Sequence, residues 1–177
     1  MKWTELLAGA VEENYKVTDA LMAMVTDDDL DWKPATGTNW MTTGQLLFHL
    51  TGSCGACFKG FVTGDWGMPE GTTYEDIPPE EMLPAAEKLP TVASVAEARR
   101  LLAADRELAE RMVVEAGEER LQAEMSRAPW MPPQAPESSL GEHLFGMVNH
   151  LASHKSQLFY YLKLQGKDVN TKHLWGM

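Results

Sequence analysis

Cysteine, basic charge and long apolar runs are all scarce in this chain of 177 residues. Two cysteines, Cys54 and Cys57, are too few for a disulfide scaffold. Apolar runs stay well short of the roughly 20 residues that a membrane-spanning helix needs. The opening stretch MKWTELLAGAVEENY carries acidic groups where a secretory signal peptide would be apolar. We therefore expect a cytoplasmic protein that makes no use of a membrane.

Basic residues are also scarce in this chain. Lys and Arg number 15 against 26 Asp and Glu, which gives a formal net charge of −11. The densest basic cluster, Arg99 and Arg100, lies between Glu97 and Asp105. Such a surface repels phosphate backbones and anionic lipids. The charge pattern therefore argues against nucleic acid as a partner, and the expectation of a small-molecule substrate rests on the histidines described below.

Apolar residues recur along the sequence with the period of an α-helix, and the period-two alternation of β-strands is not seen. Apolar residues make up 44% of the chain, enough for the core of one domain spanning residues 1–177. The pattern predicts helices over residues 3–25, 42–63, 95–116 and 140–164. Three of these follow capping-box pairs, in which two side chains satisfy free N–H groups: Thr42 with Gln45, Ser94 with Glu97, and Ser139 with Glu142. The sequence therefore predicts an all-α four-helix bundle.

The predicted helices are joined by long connectors, which are usually functional or contain short extra helices. Gly117 and Gly166 follow the third and fourth helices and suit helix ends. The connectors also carry large side chains, namely Trp40, Trp66, Trp130 and Met131. These residues either wall a pocket or anchor the loops on the bundle, and the sequence leaves both alternatives open.

Three of the five histidines fall on predicted helix faces that point toward the core. His150 and His154 are four residues apart, so they lie about 40° apart around an α-helix. Such a pair occurs by chance on many helices. His49 lies in the apolar run of residues 46–50, where a buried imidazole needs partners for both nitrogens. A lone histidine finds them in backbone carbonyls or hydroxyls, whereas three histidines satisfy each other by sharing a metal ion.

A site of three neutral imidazoles suits Zn²⁺, Ni²⁺, Fe²⁺ or Mn²⁺. Three protein ligands leave a position for water or substrate, as in catalytic sites. Gln157 lies about 30° from the midpoint of the α-helical pair, close enough to bond a ligand histidine or a metal water. An equally good interpretation is that Gln157 is a polar residue near the end of the helix with no part in the site. His143 lies about 10 Å along the axis from His150 and is expected to stay outside the site.

The spacing of Cys54 and Cys57 spells C-x-x-C. Redox pairs of this kind sit at a helix N-terminus, where the thiol pKa falls. These two cysteines lie well inside the predicted helix of residues 42–63. We therefore interpret them as small packing residues rather than as redox groups or metal ligands.

The stretch NHLASHKSQ at residues 149–157 resembles the N-H-x-x-x-H-[RK]-x-Q segment of the DinB-like (DinB/YfiT) superfamily. The stretches LDWKP at 30–34 and QLLFHL at 45–50 resemble that family's approach to its first metal histidine. The resemblance implies an up-up-down-down four-helix bundle, often a homodimer. It also implies that His49, His150 and His154 hold the metal. Relatives often carry one more histidine four residues before His150, where this chain has Gly146.

Characterised members of the superfamily include transferases and isomerases that depend on small thiols such as mycothiol or bacillithiol, and many members have no known reaction. The resemblance therefore implies a metal-dependent transferase or hydrolase acting with a small thiol or a metal-bound water. A second hypothesis is a non-catalytic metal-binding or stress-related protein. A third is a plain bundle whose histidines are only satisfied polar groups of the core.

Overall fold

The computed structural model describes residues 2–78 and 84–177. The all-α prediction is confirmed, since these ranges are mostly helical and hold only one two-residue strand pair. The strands β1 (Met125–Ser126) and β2 (Ser138–Ser139) pair antiparallel. The helices are α1 (Trp3–Met22), α2 (Thr43–Leu50), α3 (Gly55–Thr63), α4 (Val95–Ala123), α5 (Leu140–Leu164) and α6 (Thr171–Trp175).

All three predicted capping pairs lie at helix starts. The Thr42 hydroxyl accepts from the Gln45 N–H at 3.2 Å, and the Gln45 amide oxygen accepts from the Thr42 N–H at 2.8 Å. Ser139 caps α5 in the same reciprocal way. Ser94 accepts from the Glu97 N–H at 3.1 Å, but the Glu97 carboxylate accepts from the backbone N–H before the cap. Each pair therefore fixes where its helix begins.

The single helix predicted over residues 42–63 is wrong, because the chain breaks into α2 and α3 between Leu50 and Gly55. The cause is Asp105 of α4, whose carboxylate accepts from the N–H groups of Gly55 at 3.0 Å and Ala56 at 2.8 Å. These bonds cap the start of α3. A Cβ at position 55 would collide with the backbone carbonyl of Asp105, so glycine is required there. Cys54 consequently lies at the start of a helix and not inside one.

The third predicted helix continues past Gly117, which forms a kink and not an end. Gly117 has φ 67° and ψ 165°, a conformation that side chains disfavour. The helical turn beyond it brings Glu118 to the start of α1. There the Glu118 carboxylate accepts from the N–H groups of Trp3 and Thr4, both at 3.0 Å.

Hydrogen bonds between helices fix their directions. Thr4 at the start of α1 meets Glu118 near the end of α4, and Asp19 near the end of α1 meets Arg99 near the start of α4. These two helices are therefore antiparallel. The contacts Gly55–Asp105 and Val62–Arg120 make α3 parallel to α4. The contacts Thr43–Gln165 and Ser53–His150 make α2 antiparallel to α5. The contacts Trp3–Gly141 and Asn14–Lys155 make α5 parallel to α1.

These contacts correct the expected helix order. With α2 and α3 taken as one broken helix, the bundle runs up, down, down, up, and not up-up-down-down. The parallel arrangement of α3 and α4 is made by the long connector of residues 64–94, which carries the chain back along the bundle. Part of that connector, residues 79–83, lies outside the described residues.

Aliphatic and aromatic side chains from all the long helices fill the centre of the bundle. Those without exposed surface include Leu7, Leu21, Leu46, Leu47, Leu50, Phe58, Leu121, Leu144, Leu151, Leu158 and Leu162. Within the described ranges, no helix combines the length and apolar character needed to cross a bilayer.

Candidate metal centre

The structure brings together the three histidines that the sequence singles out. His49 of α2 faces His150 and His154 of α5, and one ring nitrogen of each lies within 4.8 Å of the other two. The Nε2 atoms of His49 and His150 are 3.2 Å apart. Ring centroids are separated by 4.3 to 5.1 Å. The three imidazoles therefore form one contiguous cluster.

Helical periodicity explains this placement. On α5, Leu151 and Leu158 are fully buried, and the two histidines lie one turn apart beside them. On α2, Leu46 and Leu50 are fully buried and His49 lies beside them. All three imidazoles are half-buried. The cluster therefore occupies the edge of the core, where solutes can reach it, and not its centre.

Both α5 histidines are held through Nδ1. The Nδ1 atom of His150 lies 3.3 Å from the Ser53 carbonyl, and that of His154 lies 2.9 Å from the Gln157 amide oxygen. Both partners are acceptors, so each Nδ1 carries the proton and each Nε2 keeps a lone pair. These contacts leave the Nε2 lone pairs of His150 and His154 free to bind an ion.

Gln157 is held in turn by a short chain of hydrogen bonds. Its amide nitrogen donates to the Tyr161 hydroxyl at 3.3 Å, which donates to the Met41 carbonyl at 3.0 Å. The α5 helix runs on past Gln157 to Leu164, so this glutamine does not finish a helix. Its amide oxygen instead contacts an imidazole of the cluster. The sequence offered a clue to Tyr161, because it lies one helical turn beyond Gln157.

The local environment keeps two of the rings neutral. Burial, followed by the neighbouring imidazoles of His154 and His150, lowers the pKa of His49 to about 4. Burial also lowers the pKa of His150. Both imidazoles are therefore uncharged at pH 7, which is the form that binds a metal ion.

The donor spacing fits one divalent ion. Metal–nitrogen bonds of about 2.0–2.1 Å, at tetrahedral or cis octahedral angles, separate two ligand nitrogens by about 2.8–3.4 Å. The 3.2 Å between the Nε2 atoms of His49 and His150 falls in this range. An N–H···N hydrogen bond would also fit that one contact. The hydrogen bond needs only two rings, however, whereas a third imidazole in the same cluster completes a metal-binding donor set.

A family model described as the DinB superfamily matches residues 10–158, a span that contains all three histidines. The chain belongs to the DinB superfamily. Comparison with curated proteins finds no match. Membership of the superfamily and the geometry of the cluster are together compatible with metal binding.

In this DinB-superfamily chain, a cavity of about 230 Å³ opens beside the cluster. Its wall combines two of the histidines with the α2–α3 turn and the end of the 64–94 connector. The lining residues are Gln45, Phe48, His49, Gly52, Ser53, Cys57, Leu89, Pro90 and His150. His49 and His150 are thus the members of the cluster that face the cavity.

Both cysteines are free thiols. Burial raises the pKa of Cys54, and burial with the nearby Asp105 carboxylate raises that of Cys57 to about 11. Thiols of this kind stay protonated at neutral pH and are weak nucleophiles. Cys54 lies at the start of α3 and Cys57 in its first turn, whereas the sequence predicted both well inside a helix. Cys54 is fully buried, as a packing residue would be.

The remaining predicted features lie apart from the cluster. His143 bonds the Ser126 carbonyl at 3.0 Å and stacks on Phe61. Trp40 packs edge-on against Tyr161 and so supports the hydrogen-bond chain of Gln157. Met131 is 46% exposed. The other aromatic residues of the connectors pack together in one group, namely Trp66, Tyr74 and Trp130 with Phe61. These contacts favour the loop-anchoring alternative for Trp66 and Trp130.

Proposed function

We propose that His49, His150 and His154 hold one divalent metal ion, Zn²⁺, Ni²⁺, Fe²⁺ or Mn²⁺. The protein uses this ion to act on a small molecule together with a small thiol or water, as a transferase or hydrolase. The observation that carries the proposal is the mutual contact of three half-buried imidazoles, two of which line a cavity. Three ligands leave room at the ion for a substrate.

Each residue of the site has a defined task. When bound, a divalent ion supplies Lewis-acid chemistry and lowers the pKa of a thiol or water that it contacts. Ser53 and Gln157 hold the two α5 rings in the tautomer that directs Nε2 to the ion. His49 stays neutral and completes the donor set. The cavity places the substrate next to these rings.

A non-catalytic metal-binding or stress-related role is the second candidate. It is favoured by the composition of the cavity wall, where none of the described lining residues is a carboxylate or a lysine. Most enzymes that transfer protons place such a group, or an imidazole, within reach of the substrate. In this chain the imidazoles would already be occupied as ligands.

Metal analysis of untagged protein tests the site. Protein grown with each of the four metals is expected to carry about one equivalent per chain, and the His150→Ala variant is expected to lose it. His143→Ala is the matched control, because His143 lies on the same helix outside the cluster and should leave the metal content unchanged. Equal metal content in the two variants, or none in wild type under any supply, would refute the proposal.

A conjugation and hydrolysis screen separates enzyme from binder. Metal-loaded protein is offered common small thiols with a panel of electrophiles, and activated esters with water alone. Turnover that disappears in His150→Ala and persists in His143→Ala supports the enzyme. A loaded protein that turns over none of these substrates supports the binding role.

A further inference from the structure

The cavity beside the histidines also carries information about the ligand. We propose that the molecule bound there is small, uncharged and largely apolar, an alkyl or aryl compound rather than an anionic thiol of the glutathione type. This inference rests on the proposed metal site and names the substrate class for it. Three observations support it: the cavity is small, the polar side chains of its wall already form hydrogen bonds within the protein, and its wall carries no charged side chain.

The size limits the ligand. The cavity holds about 230 Å³. At the ~30 Å³ that one water occupies in the liquid, this is room for about eight waters, so the part of a ligand that lies beside the imidazoles is small. A benzyl or short alkyl group with one coordinating atom fits such a volume. A tripeptide or sugar thiol is much larger.

The polar side chains of the wall are already engaged. The Gln45 amide nitrogen donates to the carbonyls of Ala86 at 2.7 Å and Leu89 at 2.9 Å, while its oxygen accepts from a backbone N–H. The Ser53 hydroxyl donates to the Leu50 carbonyl. These groups therefore have little capacity left to recognise a polar ligand. Apart from the weakly polar Cys57 thiol, whose Sγ lies 4.0 Å from the Gly52 carbonyl, the imidazoles are the polar side chains that remain for it.

The rest of the described wall is apolar and uncharged. Phe48, Leu89 and Pro90 present hydrocarbon surface, and no lysine, arginine, aspartate or glutamate lines the cavity. An anion that enters such a wall loses water without gaining a cationic partner. The chain's net charge of −11 also repels anions at a distance. A neutral apolar group meets neither penalty.

Gly52 offers a way to test the charge argument without disturbing the fold. It lies in the cavity wall, and a Cβ built on it meets no other atom within 4 Å. A lysine at this position therefore adds a positive charge beside the cavity. Gly9 of α1 is the matched control, since a Cβ there also meets nothing within 4 Å and Gly9 lies outside the cavity.

The experiment uses the Co²⁺-loaded forms of wild type, Gly52→Lys and Gly9→Lys. Each is titrated with phenylmethanethiol and with 3-mercaptopropionate at matched thiolate concentrations, and binding is read from the sulfur-to-cobalt charge-transfer band. Wild type is expected to bind the neutral thiol about tenfold or more tightly than the anionic one. Gly52→Lys should narrow this ratio by strengthening binding of the anionic thiol, whereas Gly9→Lys should leave the ratio as it is.

The outcomes separate this inference from the metal site itself. Equal binding of the two thiols, preference for the anionic one, or no sulfur band with either would overturn the inference while the cobalt d–d bands still support the metal site. An equal change of the ratio in the two lysine variants would also overturn it, because the effect would then come from overall charge. Protein that shows no cobalt bands at all refutes both the metal site and the inference.

Discussion

Replacing Asp105 with alanine tests how the break between α2 and α3 is maintained. Asp105 is 6% exposed, and its carboxylate accepts from the Tyr15 hydroxyl at 2.6 Å and from the N–H groups of Gly55 and Ala56. Burial raises the pKa of Asp105, while these donors act in the opposite direction by stabilising the charge. The variant leaves all three donors without their acceptor.

The magnitude follows from those three donors. A buried donor that loses its partner costs about 1–3 kcal/mol. The Gly55 N–H also contacts the Tyr15 hydroxyl oxygen at 3.1 Å, which offsets part of the loss. The lower half of the range, about 1–2 kcal/mol for each of the three donors, gives about 3–6 kcal/mol, and the Tyr15 contact lowers the expected loss in the free energy of unfolding of Asp105→Ala to about 3–5 kcal/mol. Asp105→Asn keeps one acceptor oxygen and should cost about half as much.

Urea unfolding at pH 7, followed by circular dichroism, measures this loss. Asp19→Asn is the control, because Asp19 forms an exposed ion pair with Arg99 that is worth at most about 1 kcal/mol. A loss below about 1 kcal/mol for Asp105→Ala, equal to the control, would show that the carboxylate does not hold the break.

Three further predictions concern the site and the helix ends. Gln157→Leu should weaken metal binding about 10–100-fold in chelator competition, because an imidazole loses its orienting acceptor. Gly146→His, one turn before His150 in open space, should add a fourth ligand, tighten zinc binding and abolish the thiol band. Backbone N–H groups, with that of Thr4 foremost, lower the pKa of Glu118 to about 2. Its stabilising effect is thus complete above pH 4.5 and lost as the pH falls toward 2, so urea midpoints should drop less between pH 7 and 3 in Glu118→Gln.

Helix starts were predictable because their causes are local. Thr42 with Gln45, and Ser139 with Glu142, act over three residues, and the structure places a helix start at each. The break before Gly55 has a distant cause, since Asp105 lies 50 residues further along the chain. Gly117 gave a local signal for positive φ, but that signal is the same for a helix end and for a kink.

The same distinction applies to the histidine cluster. The pairing of His150 with His154 and the contact with Gln157 follow from helical spacing alone. The approach of His49 needed its apolar context and the resemblance to a known family. The contact of Ser53 with His150 has no signature in the sequence, because the acceptor is a backbone carbonyl that any residue carries.

The break between α2 and α3 links the stability of the core to the chemistry of the site. In an unbroken helix the Ser53 carbonyl would accept from the backbone N–H four residues later. In the structure, the first backbone hydrogen bond of α3 is instead made one residue later, where the Phe58 N–H donates to the Cys54 carbonyl at 2.8 Å. The Ser53 carbonyl is thereby released for Nδ1 of His150. Since Asp105 caps α3 at this point, a core carboxylate fixes the tautomer of a histidine that it does not touch.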